Sequence, residues 1–173
     1  MYKKWDKGYA GKANGNFSSG AANYKKPFTP KKPVKTFRDL DIYQTTLQCS
    51  VIVVKNFRPK LVALKYPFIE GMVNCTMSVP LLIAEAHSLR FADFALGVGY
   101  LEKAMSANNK MVVYLEHAKA MYGSKVDADL YDEIIARYVE SRTKSFHLEK
   151  SWKRFRTEYG DANSGKGKGG FKY

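Results

Sequence analysis

From residue 39 onward, apolar side chains recur about every 3.5 positions, the period of one helix face. The spacing predicts a first helix over roughly 39–57, with Leu40, Tyr43, Leu47, Val51 (or Ser50), Val54 and Phe57 on its buried stripe. Asp39 and Asp41 suit the positive end of its dipole, and Pro59 should stop it. The run Val51-Ile-Val-Val54 has strand propensity, but it is short and its flanks are spaced as a helix, so helix is expected throughout.

A second helix is expected from Pro67, a favoured first-turn residue, through Phe68, Met72, Cys75, Val79, Leu82, Ala86 and Leu89. Pro80 inside it removes one backbone donor and should bend it. The third reads Phe94, Val98, Leu101, Met105, Asn108, Val112, Leu115 and Tyr122, with Gly123 as its C-terminal cap. The fourth starts near Asp127 or Asp129, both suitable caps. It continues through Tyr131, Ile134, Tyr138, Ser141, Ser145, Leu148, Trp152 and Phe155. Four long helices joined by short turns, with no hairpin signal between them, predict an all-α, antiparallel up-down four-helix bundle.

Both ends of the chain break this pattern. Residues 1–35 are rich in Gly, Lys, Asn, Ser and Pro, with Trp5, Tyr9, Phe17, Tyr24 and Phe28 spaced singly. Pro27, Pro30 and Pro33 oppose a helix there. Residues 159–173 are rich in Gly and Lys. The expected organisation is a flexible basic arm over 1–35, a bundle over 36–158, and a flexible basic tail over 159–173.

Charge follows the same division. Residues 1–35 hold nine Lys and one Asp, for +8; 36–144 hold thirteen basic and twelve acidic side chains, for +1; 145–173 hold seven and three, for +4. The body is nearly neutral and the ends are basic. Lysines bind phosphates by releasing counterions, and interleaved aromatics stack on unpaired bases. Tyr24-Lys-Lys-Pro-Phe28 and Trp152-Lys-Arg-Phe-Arg156 combine both features. The pattern points to nucleic acid rather than to a solubilising tail or an acidic protein partner, and to RNA above duplex DNA, because stacking needs exposed bases. The expected phosphate contacts are Lys25, Lys26, Lys31, Lys32, Lys35, Arg90, Lys150, Lys153, Arg154 and Arg156, and the expected stacking residues are Trp5, Tyr24 and Phe28.

Catalytic patterns are weak. His87, His117 and His147 fall on different predicted helices without clustered acids, so each reads as a surface or packing histidine. Ser141 and Lys144 have the spacing of a Ser-x-x-Lys pair without its companion motifs. Gly97 and Gly99 begin a dinucleotide fingerprint that lacks its third glycine and follows no strand. Asn74-Cys-Thr76 is a glycosylation sequon inside a helix. Two cysteines, Cys49 and Cys75, are too few for a disulfide scaffold or a four-ligand zinc site. No enzyme activity, cofactor or metal is expected. No run approaches a bilayer span, and the opening MYKKWDKGYAGKANG lacks the apolar stretch of a signal peptide. A soluble, cytoplasmic protein with no membrane partner is expected.

Two features bear on assembly. Asn108 stands on an apolar stripe, where a buried amide fixes register by bonding its equivalent in a neighbour; with the helix rotated, it is solvated instead. Ile52, Val53, Met77, Ile83, Leu96, Val113, Ile135 and Val139 exceed what one stripe per helix requires. That surplus calls for a second interface and predicts a homo-oligomer.

Thr36-Phe-Arg-Asp-Leu-Asp-Ile-Tyr-Gln44 resembles the opening F-x-D/E-L-x-V/I-W/Y-Q of a known four-helix-bundle family. Ser78-Val-Pro-Leu-Leu-Ile-Ala-Glu-Ala-His-Ser-Leu-Arg90 is similar to its central S-V/I-P-x-N-I-A-E-G-x-x-R. Gly99-Tyr-Leu-Glu-Lys103 stands where the family has G-S-L-x-E. The family includes the 23S ribosomal RNA intervening-sequence protein and the accessory variability determinant (Avd) of diversity-generating retroelements. The chain departs from it at Leu82 and Ala86, where the family has Asn and Gly, and in its long fourth helix and arms. The resemblance implies a ring- or barrel-shaped homopentamer. In its Avd branch it implies a non-catalytic accessory protein that binds a reverse transcriptase and template RNA and supports mutagenic cDNA synthesis. Its intervening-sequence branch implies a ribosomal-RNA-associated protein instead, and a protein–protein adaptor with basic arms is the third expectation.

Overall fold

The computed structural model describes residues 34–123 and 125–164, with side chains through 157. Lys25, Lys26, Lys31, Lys32, Trp5, Tyr24 and Phe28 lie outside the described residues, as does the tail beyond Ser164. Every regular element among the described residues is helical. A 3₁₀ turn, Phe37–Asp39, leads into α1 (Asp41–Ile52). A π-helical turn, Val53–Phe57, joins α1 to α2 (Arg58–Ala63), so the two form one rod. Then follow α3 (Ile69–Leu89), α4 (Phe94–Tyr122) and α5 (Ala128–Ser164).

Paired contacts fix the topology. Arg58 meets Glu70 across the first rod and α3. The α3–α4 seam runs from the Cys75 thiol, donating to the Ala107 carbonyl at 3.4 Å, to Ala86 and Arg90 against Gly97. The α4–α5 seam runs from Lys119 with Asp132 to Phe94 under Arg156. The α5–α1 seam runs from Phe57 against Tyr131, ring centroids 4.6 Å apart, to Asp41 with Lys144. Residue numbers rise on one helix as they fall on its neighbour along each of these last three seams. The four rods therefore alternate in direction around a closed core, as the apolar period predicts.

The predicted bounds of α4 agree with the structure, and Asp127 caps α5, accepting from the Leu130 N–H at 3.1 Å. Asp39 works one turn earlier than expected: its carboxylate takes the backbone N–H groups of Lys35 and Thr36. The Thr36 donor first and the Lys35 donor second hold its pKa below the ordinary value, with a smaller pull from the Lys35 charge.

Several expectations need correction. Pro59 does not stop the first helix. The Arg58 N–H reaches back five residues to the Val53 carbonyl, and Pro59 falls in the first turn of α2, where no intrahelical donor is missed. The buried face of α1 is turned by about one residue: Ile42, Thr46, Cys49, Ser50 and Val53 point inward, while Leu47 and Val51 are 41% and 43% exposed. Burial of Thr46 and Ser50 is tolerable because each hydroxyl donates to its own helix, to the Ile42 and Leu47 carbonyls, both at 2.7 Å. The face of α3 is turned likewise towards Thr76, Ile83 and His87, leaving Phe68 half exposed before the helix begins. Val53 and Ile83 consequently belong to the core, not to a surplus. Gly123 is the C-cap of α4, as expected, but with a right-handed φ of −48° rather than in the left-handed role. That role falls to Lys65 (φ 56°) after α2, where the Tyr66 N–H donates to the Leu61 carbonyl at 2.9 Å. Finally, α5 continues as helix past the expected boundary at 158 to Ser164.

Asn108 is wholly buried within the protomer, and neither atom of its amide has a partner among the described residues. The stripe position is thus buried as expected, but without the partner expected in a neighbouring copy. It is not solvated, and it is sealed from an equivalent residue on a neighbouring copy.

Candidate nucleic-acid interface

One end of the bundle gathers the start of the first rod, the α3–α4 corner and the later half of α5. The corner is tight because α4 opens on a glycine: a Cβ at Gly97 would lie 3.0 Å from the Arg90 Cα and 3.1 Å from the Ala86 oxygen. Buried Ala104, Ala107 and Ala118 continue this small-residue face along α4. Asp93 caps the helix by accepting from the Leu96 N–H at 3.0 Å. The corner thus aims Arg90, Phe91 and Phe94 towards α5.

A cleft of about 1000 Å³ opens there. Val34 and Leu40 form one wall, and His87, Arg90, Phe91, Ala92 and Phe94 a second. Leu148, Ser151, Trp152, Phe155 and Arg156 of α5 form the third. Two cations sit on its aromatic walls: the Arg90 guanidinium lies 4.2 Å from the Phe91 ring centre, and that of Arg156 4.6 Å from Phe94. Arg90 also donates to the His87 carbonyl. Partial burial draws its pKa down, but a guanidinium stays charged throughout the working pH range. Phe91, 78% exposed, is the most accessible large apolar side chain of the bundle's described residues.

His87 is 5% exposed and its Nε2 has no hydrogen-bond partner among the described residues. Burial lowers its pKa first and Arg90 adds to that effect, against a smaller opposing pull from Asp39. The imidazole is therefore held neutral near neutral pH, with one ring nitrogen a donor and the other an acceptor.

Of the sequence-predicted contacts, Arg90 and Arg156 meet in this cleft. Lys153 stands beside it but is tied to Glu149 and, at 4.0 Å, to Glu102, which raises its pKa and offsets its charge. Lys150 lies over the Phe146 ring at 4.4 Å. By helical rotation, Lys150 and Arg154 sit about 160° from Trp152, on the far side of α5. Lys35 is exposed, with its backbone N–H on Asp39. The basic residues predicted on the bundle helices thus split into a cleft pair, an outward-facing pair and the ion-paired Lys153. His87, Phe91, Phe94 and Trp152 were not among the predicted contacts. Only the alternation of Trp152 and Phe155 with basic residues hinted at them.

The other sequence patterns lead elsewhere. Ser141 is buried, and Lys144 is engaged by Asp41 and Glu140. His117 faces the Tyr66 hydroxyl at 3.2 Å at the opposite end of the bundle, and His147 sits beside Phe146 on α5. Cys49 is fully buried, which pushes its thiol up to about 11. Among the described residues no His, Cys, Asp or Glu cluster could hold a metal ion, and no helix is long and apolar enough to cross a membrane. Compared with family models, curated proteins and solved structures, the chain finds no match.

Proposed function

We propose that this chain is a non-catalytic RNA-binding accessory protein, a helical scaffold that presents basic and aromatic side chains to single-stranded RNA. The observation carrying this reading is the joint placement of Arg90 and Arg156 with four aromatic rings in one cleft. Cations supply affinity for phosphate and rings supply affinity for unpaired bases, the combination that single-strand binders use. Val34 lines the cleft, and eight lysines precede it in the sequence.

The resemblance to the Avd family extends the proposal. The scaffold is a homopentamer that holds a reverse transcriptase and its template RNA and supports mutagenic cDNA synthesis in the cytoplasm. Exposed Met77, Leu81, Leu96, Val113 and Val139 are among the apolar side chains available for contacts between copies. Five copies of one basic arm on a ring would raise the local concentration of lysine around a bound strand.

The experiment is a comparison of the full chain with one lacking residues 1–35. The shortened chain should keep its helical signal and its number of subunits in solution while losing at least about tenfold in affinity for single-stranded RNA. Equal affinity in the two chains would remove the arm from the proposal.

A further inference from the structure

The cleft at the α3–α4 corner differs from a merely basic surface in having walls. It is large enough for a small-molecule-sized group, at the upper end of the usual range. Aromatic rings stand on two of its sides, Phe91 and Phe94 from the corner and Trp152 and Phe155 from α5. Its charged lining residues are Arg90 and Arg156, and no carboxylate is among the residues that line it. The lining also holds a buried polar atom without a partner among the described residues, the His87 Nε2.

Resting on the RNA-binding reading, we infer that this cleft is a nucleotide pocket, taking one unstacked base of a single-stranded RNA between its aromatic walls with the flanking phosphate on Arg90 and Arg156. Each feature has a counterpart in such a ligand. A base has two flat faces for the rings and a polar edge that reaches a buried imidazole nitrogen. A phosphate takes a guanidinium fork in bidentate fashion. An apolar peptide would leave the two guanidinium groups and the imidazole unanswered, and duplex nucleic acid would offer no free base. The imidazole is suited to this because burial and Arg90 keep it neutral, able to donate or accept at a base edge. The division of labour follows: the lysine-rich segments hold the strand by charge, and the cleft holds one base of it.

The test uses the full chain with Trp5→Phe, which leaves Trp152 as the sole tryptophan. Two probes are titrated: a ten-nucleotide oligoadenylate, and an abasic ribose-phosphate strand of equal length that carries the charge without bases. The inference expects saturable quenching of Trp152 by the oligoadenylate alone. It expects Phe91→Ala to weaken oligoadenylate binding about five- to tenfold while leaving the abasic strand unaffected. Arg156→Gln should weaken both. Phe91 is exposed, so its removal leaves the core intact, and unchanged circular dichroism checks this. Tight oligoadenylate binding with silent Trp152 emission and no effect of Phe91→Ala would overturn the pocket and leave the RNA-binding reading standing. Equal quenching by the abasic strand would also overturn it. Failure to bind either strand would overturn both.

Discussion

Gly97 and Arg90 meet backbone to backbone: a Cβ on the glycine would stand 3.0 Å from the Arg90 Cα and 3.1 Å from its nitrogen. Neither atom belongs to a flexible side chain, so a methyl group there must move α4 and the end of α3 apart by a few tenths of an ångström. Alanine gains about 1 kcal/mol over glycine in helix propensity, and overpacking against rigid backbone costs about 1–3 kcal/mol. Gly97→Ala is therefore expected to be net destabilising in denaturant unfolding. Gly99, two residues on, has nothing within 4 Å of a built Cβ. Gly99→Ala should stabilise by roughly 0.5–1 kcal/mol. Equal effects at the two positions would contradict the close approach.

The core also contains a polar pair. The Thr76 and Tyr138 hydroxyls lie 2.6 Å apart and both residues are fully buried. Tyr138→Phe or Thr76→Val alone strands a buried hydroxyl and should cost about 1–3 kcal/mol. The double variant should cost clearly less than the sum of the two, because both polar groups leave together. Additive losses in denaturant unfolding would show that the hydroxyls are not coupled.

His87 makes stability depend on pH. Its folded pKa lies below the ordinary 6.5, through burial and then Arg90, with Asp39 opposing. Above pH 6.5 the imidazole is neutral in both folded and unfolded chains and contributes no slope. As pH falls through 6.5, the unfolded chain takes the proton first and stability falls. Asp39, with its pKa depressed from 3.8, contributes stability that is lost only at still lower pH. A comparison of Tm at pH 7.5 and 5.5 therefore separates the two groups. His87→Gln should shrink the difference seen in the parent chain, and an unchanged difference would assign it to other groups.

The parts of this fold that were legible in the sequence are those where one physical signal acts alone. The bounds of α4 follow from apolar spacing between two short turns, and the start of α5 from an aspartate that can only cap. The phase of α1 was only partly legible: Ser50 stood as the alternative to Val51, but Thr46 turns its hydroxyl onto its own helix and passes as a buried residue, while Leu47 and Val51 stay half outside. Nor was the path through Pro59, since a single wider turn absorbs the proline and leaves no mark in composition. At the candidate site, charge pointed to Arg90 and Arg156 but also to Lys150 and Arg154, which charge alone cannot separate by helix face. Phe91 and His87 flank the corner, and their roles depend on Gly97 drawing two helices together, a contact between residues with no pattern in common.

The central claim is that the chain binds single-stranded RNA through charge and stacking together. The most direct measurement is the affinity of the full chain for a single-stranded RNA across a range of salt concentrations, beside duplex DNA of equal length. Each neutralised phosphate contributes roughly 0.7 to the magnitude of the log–log slope for a single strand. Half a dozen contacts per strand thus give a slope near −4, with the single strand preferred at every salt concentration. A flat salt dependence, or duplex DNA bound as tightly as the single strand, would contradict the account.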